Sequence, residues 1–155
     1  MDAKSTIKIL EFYRDIDDEL KELHRREAEI SDVYNTMSGI NMDGMPHGSA
    51  PGSPVENAAI TAAYTDAGTR LSIIARRRDF LQVSRRVIEA QMERLNFRHK
   101  TILADFYVRG RSWAQISLKM GYSDRQCKNI RAEALAQLGD YLDERPETSK
   151  ILAAL

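Results

Sequence analysis

The chain has few of the residues that build disulfides, metal centres or membrane anchors. Among its 155 residues is one cysteine, Cys127, which excludes an intramolecular disulfide and suits a reducing compartment. Its three histidines, His24, His47 and His99, stand apart from one another. No apolar run approaches the ~18 residues of a membrane span, and the N-terminus has no signal-peptide pattern. We therefore expect a cytoplasmic protein with no metal, no cofactor and no membrane partner.

Catalytic arrangements are missing as well. The sequence contains no nucleophile–base pair, no phosphate-binding glycine loop and no metal-ligand spacing. His47 has Met42 and Met45 as neighbours but no second histidine or thiol near it, and Cys127 falls at a position that we expect to be buried. The sequence thus predicts a protein that is not an enzyme.

Proline and glycine are concentrated in one stretch, residues 38–54. The run SGINMDGMPHGSAPGSP contains four glycines and three prolines, a composition that cannot hold a helix. We interpret it as a flexible, exposed loop between two long helical segments.

Heptad patterns on both sides of this loop predict a long two-helix coiled-coil hairpin. In residues 6–37 apolar residues recur every seven positions, with companions four positions later, and Glu27 breaks the stripe. In residues 55–95 a similar stripe is broken by Arg78 and Arg85. The residues that we expect in the apolar seam are Ile9, Ile16, Leu20, Leu23, Ile30, Leu71, Ile74, Leu81 and Ile88.

The charged exceptions in the seam allow three interpretations. In the first, the two helices fold back on each other and an arginine meets Glu27, because an unpaired buried charge would cost several kcal/mol. In the second, the arginines leave the seam and keep only their stems packed. In the third, the seam is intermolecular, since a lone two-helix hairpin has little core. We therefore expect residues 1–95 to form a homo-oligomer, with a dimer favoured.

Positive charge is concentrated after the hairpin, although the net charge of the chain is zero. Residues 96–135 carry eight Lys/Arg against three Asp/Glu, as a phosphate-binding surface would. We expect a helix over residues 96–109, ended by Gly110, as the first of three helices in a domain covering residues 96–143. The apolar residues expected to face one another in this domain are Ile102, Leu103 and Phe106 on the first helix, and Trp113, Ile116 and Ile130 beyond it.

The last segment, residues 144–155, should form a short tail after Pro146. Thr148 or Ser149 is expected to cap a final helical turn. That turn either docks its apolar residues on the domain or leaves them as an adhesive surface for a partner. These residues are Ile151, Leu152 and Leu155.

The residues between Ser112 and Leu138 have the pattern of a helix-turn-helix. Ser112 is suited to cap the first helix, Gly121 to end it in the left-handed region, and Ser123 to cap the second helix. Counted from Trp113, positions four, eight, ten, fifteen and eighteen are apolar, and Ser117 at position five is small. The apolar residues are Ile116, Met120, Tyr122, Cys127 and Ile130.

The outer face of the second helix is polar and largely cationic. Side chains of this kind reach base edges and phosphates when such a helix enters a major groove. The sequence therefore predicts a protein that binds double-stranded DNA. The outward residues are Asp124, Arg125, Gln126, Lys128, Asn129 and Arg131.

Residues 94–138 resemble the −35-reading domain of bacterial sigma factors. The residues that carry the resemblance are Tyr107, Gly110, Ser112, Trp113, Ile116, Met120, Gly121, Tyr122, Ser123, Ile130, Ala134, Leu135 and Leu138. The whole layout is similar to phage-encoded late-transcription regulators of the RinA and ArpU type, which place a predicted coiled coil before a sigma-like helix-turn-helix. The resemblance implies a sequence-specific transcriptional regulator of phage or prophage origin, acting in the cytoplasm of a bacterial host, with RNA polymerase as a further candidate partner.

The resemblance also implies roles for individual residues. Arg125 is the candidate for a guanine and Asn129 for an adenine. Asp124 stands where many relatives have a cation, so it either accepts from a cytosine amine or stabilises the helix N-terminus. The base-reading set is completed by Gln126 and Lys128. The candidates for phosphate contacts are Arg111, Ser112, Lys119, Ser123 and Arg131.

Two other functions are compatible with the same pattern. A small-terminase-type subunit that recognises DNA for phage packaging also joins a helix-turn-helix to an oligomerising helical region. A coiled-coil interaction module that never touches DNA would use the hairpin alone. Stoichiometry separates packaging from transcription, and the salt dependence of DNA affinity separates both from the interaction module.

Overall fold

The computed structural model describes residues 1–38 and 54–155, and every regular element in these two ranges is helical. The predicted all-α class is therefore confirmed for the described part of the chain. The centre of the predicted loop, with Met42, Met45 and His47, lies outside the described residues. In the described ranges no helix is both long and apolar enough to cross a membrane. The helices are α1 (Ala3–Ser38), α2 (Pro54–Glu93), α3 (Phe97–Leu103), α4 (Trp113–Met120), α5 (Asp124–Asp143) and α6 (Glu147–Ala153).

The chain divides into two compact units whose limits differ from the predicted ones at residues 95 and 143. Unit 1 contains Met1–Asp18 together with Phe80–Leu155, and unit 2 contains Glu19–Asp79. The start of α1 and the end of α2 belong with the C-terminal helices because their apolar residues share one core with α5. Each long helix therefore contributes one part to each unit.

The core of unit 1 takes up several residues that we predicted for an oligomer seam. Ile9, Ile16, Leu81 and Ile88 are at most 1% exposed within the single chain. Side chains buried to this degree have no surface left for a second copy. The buried members of the cluster that joins the two long helices to α5 are Ile9, Leu10, Val87, Ile88, Met92, Leu95, Leu103, Tyr107, Ala134, Leu135, Leu138, Leu142 and Ile151.

Unit 2 has much less core. Among its described side chains, Leu23 and Ile74 are the buried hydrophobic ones, each 8% exposed. The predicted seam residues Leu20, Ile30 and Leu71 are half-buried.

Ion pairs join α1 and α2 within each unit. In unit 2 the Arg78 guanidinium donates to Glu27, with Nη1 at 2.7 Å from Oε2, which is the pairing expected in the first interpretation. Both side chains are about one-third exposed. In unit 1 Arg85 donates to Asp17 and Glu89 at 2.7 and 2.9 Å. The charges that interrupt the heptads therefore have partners inside the chain.

The third predicted helix differs from expectation in its second half. The α-helical pattern stops at Leu103, and Ala104–Val108 forms a π-helical segment in which Arg109 N–H donates to the Ala104 carbonyl at 2.9 Å. We predicted that Leu103 faces the α4–α5 corner, and this is wrong. Leu103 is buried in the cluster that joins the two long helices to α5. Ile102 does face the corner as predicted, and the two residues separate because adjacent helical residues point about 100° apart.

The tail is docked in part, and its predicted caps are wrong. Ile151 is buried in the core of unit 1, whereas Leu155 is 48% exposed. The N-cap of α6 is Pro146, which offers no side-chain hydrogen bond. Thr148 Oγ1 donates instead to the carbonyl of Leu142 at 2.7 Å, so this hydroxyl satisfies the end of α5.

Candidate nucleic-acid interface

The corner between α4 and α5 is built by the caps that the sequence predicts. The Ser112 side chain accepts from the backbone N–H of Gln115, and the Gln115 side chain accepts from the N–H of Ser112, which completes a capping box. Gly121 ends α4 with φ 71° and ψ 24°, and Ser123 caps α5 by accepting from the N–H of Gln126. The roles of Ser112, Gly121 and Ser123 as helix ends are confirmed, and Gln115 is a partner that sequence reasoning missed.

A small apolar core holds the two helices against α3. Its buried members, Ile102, Ile116 and Cys127, are 0% exposed. All five positions that we predicted between the helices belong to this cluster or pack against it. The residues packed around the buried centre are Phe106, Trp113, Met120, Tyr122 and Ile130.

The predicted base-reading residues lie on the exposed face of α5, in its first two turns. All five are exposed, and the side chains of Arg125 and Asn129 make no hydrogen bond or ion pair with any residue that the structure describes. The Lys128 ammonium lies 5.9 Å from the centre of the Trp113 ring. Exposed arginine and asparagine side chains without hydrogen-bond partners keep all their donors for a ligand. The five residues are Asp124, Arg125, Gln126, Lys128 and Asn129.

Asp124 has a partner that favours one of its two predicted roles. Its carboxylate accepts a hydrogen bond from Ser117 Oγ on α4, and it occupies the first position of α5. A negative charge at this end of a helix is stabilised by the free N–H groups and the helix dipole. The contact also explains why a small polar residue stands at the fifth position of the motif.

Arg131, predicted to contact phosphate, lies among aromatic rings. Its guanidinium carbon is 5.7–5.9 Å from the ring centres of Phe106, Trp113 and Tyr107, and its Nε is buried without a partner among the described residues. Phe106 and Trp113 are themselves stacked at 4.4 Å. Cation–π contacts of this kind give Arg131 a packing role that the sequence did not predict.

Asp105 is a residue of the site that sequence reasoning missed. Its carboxylate is 0% exposed and lies within 2.5 Å of Arg109 Nη1, 2.6 Å of Lys119 Nζ and 3.4 Å of Arg111 Nη1. Burial alone raises the pKa of Asp105, but hydrogen bonds donated by Lys119 and Arg109 outweigh this effect and bring the pKa below its ordinary value. The sequence pattern that could have indicated this role is an acid on the apolar side of a helix, four positions before an arginine.

Two predicted phosphate contacts, Arg111 and Lys119, are therefore brought together by one carboxylate. Their side chains are 40% and 42% exposed, so both remain open to solvent while paired. Ser112 and Ser123 are exposed helix caps, where a backbone phosphate could also accept from free N–H groups.

Comparison with protein-family models, with curated proteins and with solved structures returned no significant match.

Proposed function

We propose that the chain is a sequence-specific DNA-binding transcriptional regulator, of phage or prophage origin, that works as a homo-oligomer in the cytoplasm of a bacterial host. In this proposal α3, α4 and α5 act as a sigma-like helix-turn-helix domain, and the long helices act as a coiled-coil hairpin. RNA polymerase is the candidate protein partner. The origin and the polymerase contact derive from the resemblance to late-transcription regulators.

One observation carries the proposal. Arg125, Lys128 and Asn129 stand exposed on the first two turns of the second helix of a capped two-helix corner. In a helix-turn-helix these turns of the second helix contact base edges in the major groove. The paired donors of an arginine match O6 and N7 of guanine, and an asparagine amide matches N6 and N7 of adenine.

The charge distribution supports the same function. The chain is neutral as a whole, so no global field draws it to DNA. Contacts with DNA must then come from local cations, and residues 96–135 supply an excess of five positive charges. Because phosphate contacts release counterions, the proposal requires affinity to fall with salt.

The surface of unit 2 supports oligomerisation through the hairpin. Val33 and Ile73 are 58% and 60% exposed, and Ile60 is 43% exposed. A groove of about 310 Å³ is lined by residues of both helices of this unit. A helical unit with so little buried apolar surface gains stability when a second copy covers it. The groove residues are Glu29, Ile30, Val33, Ala63, Asp66, Ala67 and Arg70.

The decisive experiment selects bound sites from a pool of random duplexes and then measures variants on the selected site. Arg125→Ala is expected to lose about 1–3 kcal/mol of binding free energy and to relax the preference at one base pair. Lys119→Ala is expected to weaken all sequences equally. Arg145→Ala is the matched control, because Arg145 is an exposed arginine beyond the end of α5 and should leave binding unchanged.

Three results would contradict the proposal or redirect it. Equal binding of wild type and Arg125→Ala to every sequence removes the base-reading role. The absence of any salt-dependent affinity for duplex DNA leaves only the interaction module. A solution mass corresponding to a ring of many subunits, in place of a dimer or tetramer, favours the packaging subunit.

A further inference from the structure

The cluster around Asp105 carries more positive charge than its own carboxylate balances. Arg109, Arg111 and Lys119 all converge on this single buried carboxylate. Among the described residues no other carboxylate forms an ion pair with any of the three cations. One negative and three positive charges leave an excess of two positive charges at one place.

The three cations keep hydrogen-bond donors for a further anion. A lysine ammonium has three donors and an arginine guanidinium has five, and each side chain gives Asp105 one nitrogen. Arg109, Arg111 and Lys119 are 54%, 40% and 42% exposed, so the remaining donors are within reach of a ligand in solvent.

Neighbouring acids do not absorb this excess. Glu89 and Glu93 line a cleft shared with Arg109. Glu89, however, is bound by Arg85 and Tyr13, and Glu93 is bound by Lys100.

We propose that Arg109, Arg111 and Lys119 form a clasp for one backbone phosphate of duplex DNA, and that buried Asp105 is the positioning residue that holds the clasp together. The inference rests on the proposed function and adds two residues to it, Arg109 and Asp105. A phosphodiester suits the site because it carries one negative charge and two free oxygens that accept from several donors.

Asp105 can act on the clasp in two opposite ways, and these differ in sign. If it only neutralises the cations, its loss frees them and strengthens DNA binding. If it positions them, its loss lets three flexible side chains spread, and binding weakens despite the added positive charge. The complete burial of Asp105 favours positioning. A buried carboxylate is held in place by its surroundings, and the nitrogens of its three partners lie 2.5–3.4 Å from its oxygens.

The first test compares Asp105→Asn with Asp140→Asn on the selected duplex at several salt concentrations. Both substitutions remove one negative charge, but Asp140 is an exposed residue of α5. We expect Asp105→Asn to bind about tenfold more weakly than wild type, the size of a lost charge-assisted contact. Asp140→Asn should bind equally or slightly more tightly. Tighter binding by a folded Asp105→Asn would overturn the positioning role.

The second test asks whether the cations share one phosphate. Arg109→Gln or Lys119→Gln alone leaves one excess positive charge, which still neutralises a shared phosphate, so each single variant is expected to change the slope of log affinity against log salt little. The double variant leaves no excess charge and is expected to lower the slope by about 0.9, the value for one phosphate. A double loss of about 1.8 would mean two separate phosphates and would overturn the clasp.

The two tests separate the clasp from the function on which it rests. Should wild type bind no duplex even at low salt, both proposals fail. Should wild type bind with a clear sequence preference while the double variant of Arg109 and Lys119 leaves the slope unchanged, the clasp fails and the function stands. Far-ultraviolet circular dichroism checks the fold of Asp105→Asn at the binding temperature. If that variant is unfolded, the slopes of the single and double glutamine variants decide.

Discussion

Gly139 offers the most direct test of how the C-terminal helices meet the start of the chain. It lies inside α5, one turn before its C-terminal end, and is buried. A Cβ added there would lie 3.0 Å from the carbonyl oxygen of Met1 and 3.0 Å from Thr6 Oγ1. Thr6 cannot turn away freely, because it is 0% exposed and its hydroxyl donates to the carbonyl of Asp2 at 3.1 Å.

The magnitude follows from two opposing terms. Replacing a glycine inside a helix by alanine stabilises the folded state by about 0.5–1 kcal/mol. Overpacking of a tight contact costs about 1–3 kcal/mol. For Gly139→Ala the second term is larger, and we expect a net loss of about 1 kcal/mol in the free energy of unfolding.

Gly68 is the matched control because it is also helical, in α2, and no atom of the described residues lies within 4 Å of its added Cβ. Gly68→Ala should therefore gain about 0.5–1 kcal/mol. Each variant is compared with wild type by urea denaturation followed by far-ultraviolet ellipticity. If Gly139→Ala stabilises the protein as much as Gly68→Ala does, then α5 does not pack on the start of α1 and unit 1 is not assembled as described.

Three further predictions concern an ion pair, an acid and a turn. Glu27→Leu removes the partner of half-buried Arg78 and should lower the free energy of unfolding in urea by about 1 kcal/mol. Changing both residues to leucine should recover the loss. An unchanged urea midpoint for the single variant would mean that the pair is not needed. Because the pKa of Asp105 lies below its ordinary value, its carboxylate stabilises the fold above pH ~4 and loses this effect as the pH falls further. In urea unfolding at a series of pH values, Asp105→Asn should therefore show a smaller fall in the free energy of unfolding below pH ~4 than wild type does. Gly121→Ala forces alanine to φ 71° and should lower the melting temperature by a few degrees, about 1–2 kcal/mol.

The local features of the corner were accessible from the sequence because their causes are local. A serine offers its oxygen to the N–H three positions later, and a glycine accepts a left-handed φ, whatever lies around them. The spacing of Ile116 and Cys127 likewise specifies which side of each helix is apolar. For this reason the caps and the buried positions of α4 and α5 match the structure closely.

Other features depend on atoms that are distant in the chain. Asp105 is an ordinary acid in the sequence, and only the fold carries Lys119, fourteen positions later, onto its carboxylate. Leu103 was assigned to the wrong core because two cores lie on different sides of α3 and the helical period does not say which is which. The π-helical segment after Leu103 has no pattern of its own in the sequence.

The long helices show the same division. The heptads predicted two helices and an apolar stripe, and both follow from period and composition alone. Whether the stripe packs against the same chain or against a second copy depends on which other apolar surfaces the fold brings next to it. In unit 1 the C-terminal helices bury Ile9 and Ile88, whereas in unit 2 Val33 and Ile73 remain exposed.

The sequence by itself determined the helical class, the ends of α4 and the start of α5, and the polar face of α5, since each depends on residues within one or two turns. The tertiary structure decided which apolar faces are covered, where the charged exceptions find partners, and that three cations gather on one buried acid. Those outcomes depend on distances between residues that lie far apart in the chain, and no local pattern encodes them.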